Sequence, residues 1–199
     1  EDADIVLDGK DSRLTLKAGK SRFSLQTLPA ADFPKLADSG DELISFNLNR
    51  KSFKAQLEKV QYAMANQDIR YYLNGMLLSV ADASVTTVAT DGHRLSFAIS
   101  PMEGGDSKAD VILPRKTVAE LIKLLDDGDA DGSVKVTLRT NQVKFDLGHA
   151  ELSSKLIDGK FPDYTKVIPI GYSKHITLNR IRLQQALSRA AILSNEKIR

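Results

Sequence analysis

Cysteine is absent from this chain of 199 residues. That excludes disulfides and thiolate metal sites within it and fits a reducing compartment. No apolar run approaches the ~20 residues of a bilayer span, and no signal-peptide pattern shows, so a cytoplasmic protein with no membrane partner is expected. Charge of one sign is also missing. Lys and Arg number 28 against 26 Asp and Glu, a net +2, so there is no blanket basic surface. Any attraction to a polyanion must come from how the charges are distributed. The histidines, His93, His149 and His175, share no ligand spacing, which leaves a metal site without support. Glycine-rich phosphate loops are missing too; Gly104-Gly105 has no following Lys-Ser/Thr and reads as a turn. No nucleophile with a paired base is evident, and no cofactor is implied. The 42% hydrophobic content fits a globular class with enough chain to bury a core.

What is present is a repeat. Leu48-Asn49-Arg50, Leu113-Pro114-Arg115 and Leu178-Asn179-Arg180 recur at a constant interval of 65 residues (178 − 113 = 113 − 48). Behind each triplet the apolar positions align as Phe53/Val118/Leu183, Leu57/Ile122/Leu187 and Val60/Leu125/Ala190, the i, i+4, i+7 face of a helix. Ser45 to Leu48, Val111 to Leu113 and Ile176 to Leu178 read as strands leading in. Asn49 and Asn179 suit helix N-caps, because a side-chain oxygen accepts from a free first-turn N–H. Pro114 suits a helix start, where its missing N–H costs nothing.

After the first helix the alternation predicts strands over Tyr72 to Val80, Ser84 to Ala89 and Arg94 to Ile99. After the second it predicts Ser133 to Leu138, Val143 to Leu147 and Ala150 to Leu156. The unit is βαβββ, and the fold class is α+β: duplicated βαβββ half-domains with helices on one face of antiparallel sheets. Leu28, Phe33 and Pro34 echo Leu156, Phe161 and Pro162 at an offset of 128 (156 − 28). The expected organisation is the last strands of one such domain over residues 1–34, a complete domain over 41–165, and the start of a third over 174–199. A chain of this kind, starting without Met, is expected to be part of a protein roughly twice as long.

Two features carry candidate chemistry. The helices' polar positions hold Arg50, Lys51, Lys54 and Lys59; Arg115, Lys116 and Lys123; and Arg180, Arg182 and Arg189. Many acids lie instead in loops (Asp38 to Glu42, Asp126 to Asp131). These faces are either three solvated helix surfaces or a shared surface that holds a phosphate backbone by charge without base readout. The second feature is Thr90-Asp91-Gly92-His93-Arg94-Leu95. Asp91, His93 and Arg94 together admit a phosphoryl-handling enzyme. Against it, Asp91-Gly92 between strands signals a tight hairpin, which puts His93 beside a turn rather than in a cleft. The stretch Asn66 to Tyr72 could touch a nucleic-acid backbone, or its tyrosines could simply pack. A binding module unrelated to DNA is a third reading.

Four strings resemble one family: Gln67-Asp68-Ile69-Arg70-Tyr71-Tyr72-Leu73-Asn74-Gly75, Val88 to Leu95, Ile157-Asp158-Gly159-Lys160-Phe161-Pro162-Asp163-Tyr164, and Ala190 to Lys197. The chain resembles the bacterial DNA polymerase III beta subunit, the sliding clamps, over essentially its whole length. The resemblance implies the DNA clamp fold and a non-catalytic processivity factor. Its three-domain subunits pair head to tail as a homodimer ring around duplex DNA, with helices lining the hole and sheets outside. It implies a pocket for short peptide tails of polymerase and clamp-loader subunits, drawing on Leu73, Thr90, Gly92, His93, Arg94, Leu95, Pro162 and Val167. Lys166 stands there where the family often has Arg. It further implies that Gln67, Arg70, Tyr71 and Tyr72 face DNA, and that Phe23 and Leu25 form one side of a subunit seam and Ile192 and Leu193 the other.

Overall fold

The first three strands, β1 (Ile5–Lys10), β2 (Arg13–Ala18) and β3 (Ser21–Gln26), pair antiparallel in chain order. This computed structural model describes residues 3–33, 40–102, 108–126, 132–192 and 194. The register aligns Leu7 with Leu16 and Phe23, and Leu14 with Leu25. Because side chains alternate across a strand, one face of this sheet is apolar while Thr15, Lys17, Arg22 and Ser24 occupy the other. The chain forms two compact units, Glu1–Phe161 and Pro162–Arg199.

Both predicted βαβββ cassettes form in the first unit. The first runs β4 (Glu42–Asn49), α1 (Arg50–Val60), β5 (Gly75–Ala81), β6 (Ser84–Thr90) and β7 (Leu95–Pro101). The second runs β8 (Ala109–Pro114), α2 (Arg115–Asp126), β9 (Ser133–Arg139), β10 (Gln142–Asp146) and β11 (Glu151–Lys155). The sheets, however, are not the cassettes. Their orders are β7-β6-β5-β8 and β11-β10-β9-β4. Each half hands its first strand to the other's sheet, β4 pairing with β9 and β8 with β5, so neither half can complete a sheet without its twin.

The helical periodicity buries the expected face. Phe53, Leu57 and Val60 of α1 and Val118, Leu121 and Leu125 of α2 form a core with Met76, Leu78, Val136 and Phe145 from the sheets. Ile122, expected at the centre of that face, is only partly buried, and Leu121 takes the central place. Asn49 caps α1 as predicted, its Oδ1 accepting from Ser52 N at 2.9 Å. The first helical amides are held from the other half: Arg50 N donates to Gly132 O (2.9 Å) and Arg115 N to Asn74 O (3.1 Å).

Two strand expectations differ from the structure. Tyr71–Leu73 forms a 3-10 turn and the strand starts only at Gly75. In the second unit Ile176 to Leu178 makes no strand; an extended segment becomes a strand only when a neighbour accepts its ladder of hydrogen bonds. The third cassette's helix α3 (Arg180–Ala191) does form, with Asn179 Oδ1 accepting from Arg182 N at 3.0 Å. Its apolar residues Ile181, Leu183 and Leu187 are exposed. Pro34, the Gly104-Gly105 turn, Asp38, the acidic residues at 127, 129 and 131, Leu193 and the string's end at 195–197 lie outside the described residues.

Candidate partner-binding hairpin and helix face

Alternation along β6 turns Val85, Thr87 and Ala89 toward the core and puts Thr86, Val88 and Thr90 on the opposite face, where Val88 is still fully buried. Across the ladder Thr90 pairs with Leu95 and Val88 with Phe97, so the first and last residues of the candidate pocket string sit side by side on that face. Between them runs a four-residue loop, Asp91 to Arg94, longer than the tight turn that Asp-Gly signals. The reason is local. Asp91 Oδ1 accepts from His93 N (2.9 Å) and Arg94 N (3.0 Å), and Oδ2 accepts from Arg94 Nε (3.0 Å). Thr90 Oγ1 accepts from Gly92 N (3.1 Å) and donates to Arg94 O (2.7 Å). Gly92, at φ +88°, supplies the left-handed step this needs. Burial works to raise the Asp91 pKa, but the His93 and Arg94 amides and the Arg94 guanidinium outweigh it and hold the carboxyl below its ordinary value. A carboxylate engaged by three donors is a turn builder, not a general base.

His93 sits beside the turn, as expected. It is exposed on the rim of an open depression of about 460 Å³, lined also by Tyr62, Asn66, Gln67, Arg94 and Arg115. The Arg94 guanidinium lies over the Tyr62 ring, 5.5 Å from its centroid, a cation–π arrangement. Nothing in the spacing of Tyr62 and Arg94 marks that contact.

The neighbouring loop is fastened by its own short-range bonds. Asp68 N donates to Asn74 Oδ1 (2.9 Å) and Asn74 Nδ2 returns to Asp68 O (2.8 Å). Gln67 is held at φ +58°, a conformation non-glycine residues adopt only when their surroundings impose it. Arg70 meets Asp68 with a two-pronged bond, Nε to Oδ1 at 3.0 Å and Nη2 to Oδ2 at 2.8 Å. The side-chain bonds from Arg70, then its backbone N–H, lower the Asp68 pKa from 3.8 to about 2. Because the folded-state value is depressed, this contribution is complete above about pH 4 and is lost as pH falls through about 2. An NMR titration of the Asp68 carboxyl is expected to show its midpoint near 2; a midpoint near the ordinary value would mean the pair is open in solution.

Leu73 follows in the 3-10 turn and is only 2% exposed, whereas Leu95 is half-buried at the sheet surface. Leu95→Ala is therefore expected to leave the urea midpoint nearly unchanged, while Leu73→Ala costs about 2–4 kcal/mol as a cavity mutation. Tyr71 and Tyr72 meet edge to face at 5.8 Å between centroids. Gly159, at φ +127°, passes close enough that a Cβ there would sit 3.5 Å from Tyr71 Cε2.

The first unit thus brings together Gln67, Arg70, Thr90, Gly92, His93, Arg94 and Leu95. Pro162, Lys166 and Val167 belong to the second unit, where all three are exposed and Lys166 Nζ pairs with Asp163 at 3.1 Å. Phe23 and Leu25 lie on the apolar face of the β1–β3 sheet and are exposed, as is Ile192 beyond α3.

The helix face departs most from expectation. Helices α1 and α2 pack against each other; the arginine opening α1 reaches the last turn of α2, and the arginine opening α2 reaches the chain just beyond α1, so the two run antiparallel. Arg50, 4% exposed, donates to Leu124 O at 2.7 Å; Arg115 donates to Met64 O at 3.0 Å. At Leu124, in the last turn of α2, the Arg50 cation complements the helix dipole. Lys54 pairs with Asp126 and Glu58, and Lys123 with Glu120. Lys51, Lys59 and Lys116 are left exposed. Arg50→Ala is accordingly expected to destabilise the unit by about 1–3 kcal/mol by leaving the partly buried Leu124 carbonyl without its donor, measured as a shift in urea midpoint, whereas Lys51→Ala stays within ~0.5 kcal/mol. Among the described residues no group of His, Asp and Glu could hold a metal ion, and no helix is long and apolar enough to cross a membrane.

An antiparallel helix pair backed by two strand-exchanged four-stranded sheets defines a clamp-type α+β protein. Residues 47–163 match the family model described as DNA polymerase III beta subunit, central domain, and the chain belongs to that family. It is 45% identical over 199 residues to the beta sliding clamps of Salmonella typhimurium and Escherichia coli, covering 100% of this chain and 54% of each of those proteins. A DnaN sliding clamp from Pseudomonas aeruginosa bound to griselimycin superposes with a TM-score of 0.90 at 42% identity, over 98% of this chain and 53% of that one. The chain spans about half the length of the relatives it matches.

Proposed function

We propose that this chain is the middle portion of a replicative processivity factor, a non-catalytic ring that encircles duplex DNA and tethers polymerase and clamp-loader subunits through short peptide motifs. The observation that carries the reading is the joined architecture, in which strand exchange fixes two antiparallel helices on one side of paired sheets. On this reading residues 1–34 close a first domain, 41–165 form the second and 174–199 begin a third. The helix pair faces DNA, with Gln67, Tyr71 and Tyr72 near its edge. In the first unit the partner pocket draws on Leu73, Thr90, Gly92, His93, Arg94 and Leu95. Phe23 and Leu25 face Ile192 and Leu193 of a second copy across the seam, and the ring works in the cytoplasm on the nucleoid.

The charge distribution supports sliding. A ring is retained by topology, and strong phosphate affinity would make it stick. Helix cations spent on carbonyls and local carboxylates leave a mildly positive wall, in keeping with the +2 balance. The enzyme reading loses support because Asp91 and Arg94 are engaged with each other.

The test loads the whole protein onto nicked circular and linear duplex DNA. Retention on the circle with loss from linear ends is expected, together with binding of a peptide bearing leucine and phenylalanine anchors but not its scrambled form. Equal retention on both templates would end the ring reading. On the peptide arm, Leu95→Ala should weaken binding roughly tenfold or more, the loss typical of a hot-spot anchor.

A further inference from the structure

The hairpin loop's hydrogen bonds at Thr90, Asp91 and Arg94 are internal, so they shape the loop without fixing where it points. Among the described residues, two contacts tie it to the rest of the unit by stacking or hydrogen bonding. One is the exposed stacking of Arg94 on Tyr62. The other comes from Arg70, whose Nη2 donates to Asp91 O at 3.3 Å, and whose guanidinium lies so near Gly92 that a Cβ there would stand 3.0 Å from Nη1. Arg70 is itself fixed. Asp68 receives three bonds from it, counting Arg70 N to Asp68 Oδ1 at 2.8 Å. Asp68 is in turn bolted at both backbone groups to Asn74, at the foot of β5. A contiguous path of bonded groups therefore runs from the sheet through Asn74, Asp68 and Arg70 to the carbonyl beside Gly92.

We propose that Arg70 is a positioning residue, a latch held by Asp68 that fixes the Thr90–Leu95 hairpin in its partner-binding orientation. The role differs from the DNA contact its loop position implies, and it rests on the reading of this hairpin as part of the partner site. Isolated surface ion pairs contribute little, but a two-pronged arginine in a network is the exception. The planar fork matters. Lysine offers one point charge and cannot grip Asp68 with two parallel bonds while reaching Asp91 O. Gly92 matters for the complementary reason: any side chain there displaces the guanidinium and strains a left-handed φ.

The test measures amide hydrogen exchange and peptide affinity on the whole protein, with Arg70→Ala, Arg70→Lys and Gly92→Ala beside the unsubstituted form. The latch predicts that Arg70→Ala speeds exchange at the amides of Gly92, His93 and Arg94 by roughly tenfold, leaves β5 amides unaffected, and weakens the leucine- and phenylalanine-anchored peptide by a similar factor. Lysine should fail to restore either. Gly92→Ala should mimic Arg70→Ala, and the double variant should be no worse than either single one. Salt dependence of DNA retention should not change, whereas loss of a phosphate contact would lower its slope by about 0.9. Unaltered hairpin exchange in Arg70→Ala overturns the latch, as does faster exchange with unchanged peptide affinity, or a lowered salt slope. If the unsubstituted protein binds anchored and scrambled peptides alike, it is the partner-site reading that fails, and the exchange data still report whether Arg70 holds the hairpin.

Discussion

Gly75→Ala is expected to destabilise the first unit by about 3 kcal/mol, at the upper end of overpacking costs. Gly75 is buried where β5 pairs with β8, opposite Pro114. A Cβ there would run into the backbone carbonyl of Leu113 and stand 2.9 Å from both Ile112 Cγ2 and Ile157 Cδ1. Side chains can rotate away, but a carbonyl in a sheet ladder moves only if the strand moves. Because β8 is the strand the second half lends to the first, its displacement loosens the join between the halves. It also disturbs Asn74, whose carbonyl holds Arg115 N and whose side chain anchors Asp68. Urea denaturation should show the lower midpoint, and a loss under about 1 kcal/mol would mean the β5–β8 junction relaxes in a way its geometry does not anticipate. Gly148→Ala is the control: nothing lies within 4 Å of its Cβ position, though its φ of +84° leaves a backbone cost of its own.

The second large effect compares one repeat position in three places. Phe53→Ala is expected to cost about 3–5 kcal/mol. Phe53 is 1% exposed, and its ring lies 6.3 Å from that of Phe145, which belongs to the other half's sheet. Removing it opens a cavity between α1 and a strand that cannot close independently of β4. Val118→Ala, at the equivalent buried site on α2, should cost less because fewer carbons are removed, about 1–2 kcal/mol by transfer free energy alone. Leu183→Ala, at the third equivalent site, should cost within about 0.5 kcal/mol in this chain, because Leu183 is 43% exposed. Equal losses at Phe53 and Leu183, read from urea midpoints, would contradict the burial that separates them.

The identical spacing behind Phe53 and Leu183 shows where reading residues in order succeeds. Helical periodicity located α1, α2 and α3, and Asn49 and Asn179 marked their starts, because caps and amphipathic faces are short-range properties written within a turn or two of chain. Alternation likewise located β5 to β7 and β9 to β11. The hairpin was legible in Thr90 to Leu95, because Asp-Gly chemistry marks a turn, whereas its assignment to a partner site came from the family resemblance. That Arg70 touches Asp91 and Gly92 was not, since Asp91 lies 21 positions further along the chain and no local pattern encodes the meeting.

The basic helix faces show the opposite case. Arg50 and Arg115 look like surface cations when counted along their own helices, yet Arg50 bonds to the Leu124 carbonyl in the last turn of α2, and Arg115 to the Met64 carbonyl in the chain beyond α1. Ile176 to Leu178 look like a strand and pair with nothing in the described residues.

The order of residues was enough to establish the duplication, the helices and their caps, and the family strings, all set by preferences that act over a few neighbouring positions. Packing alone settled which sheet receives β4 and β8, that Arg50 turns inward, and that Arg70 meets the hairpin. A strand's alternation states which face is apolar but not whose edge it joins, and a cation's place on a helix does not reveal which distant carbonyl lies within its reach.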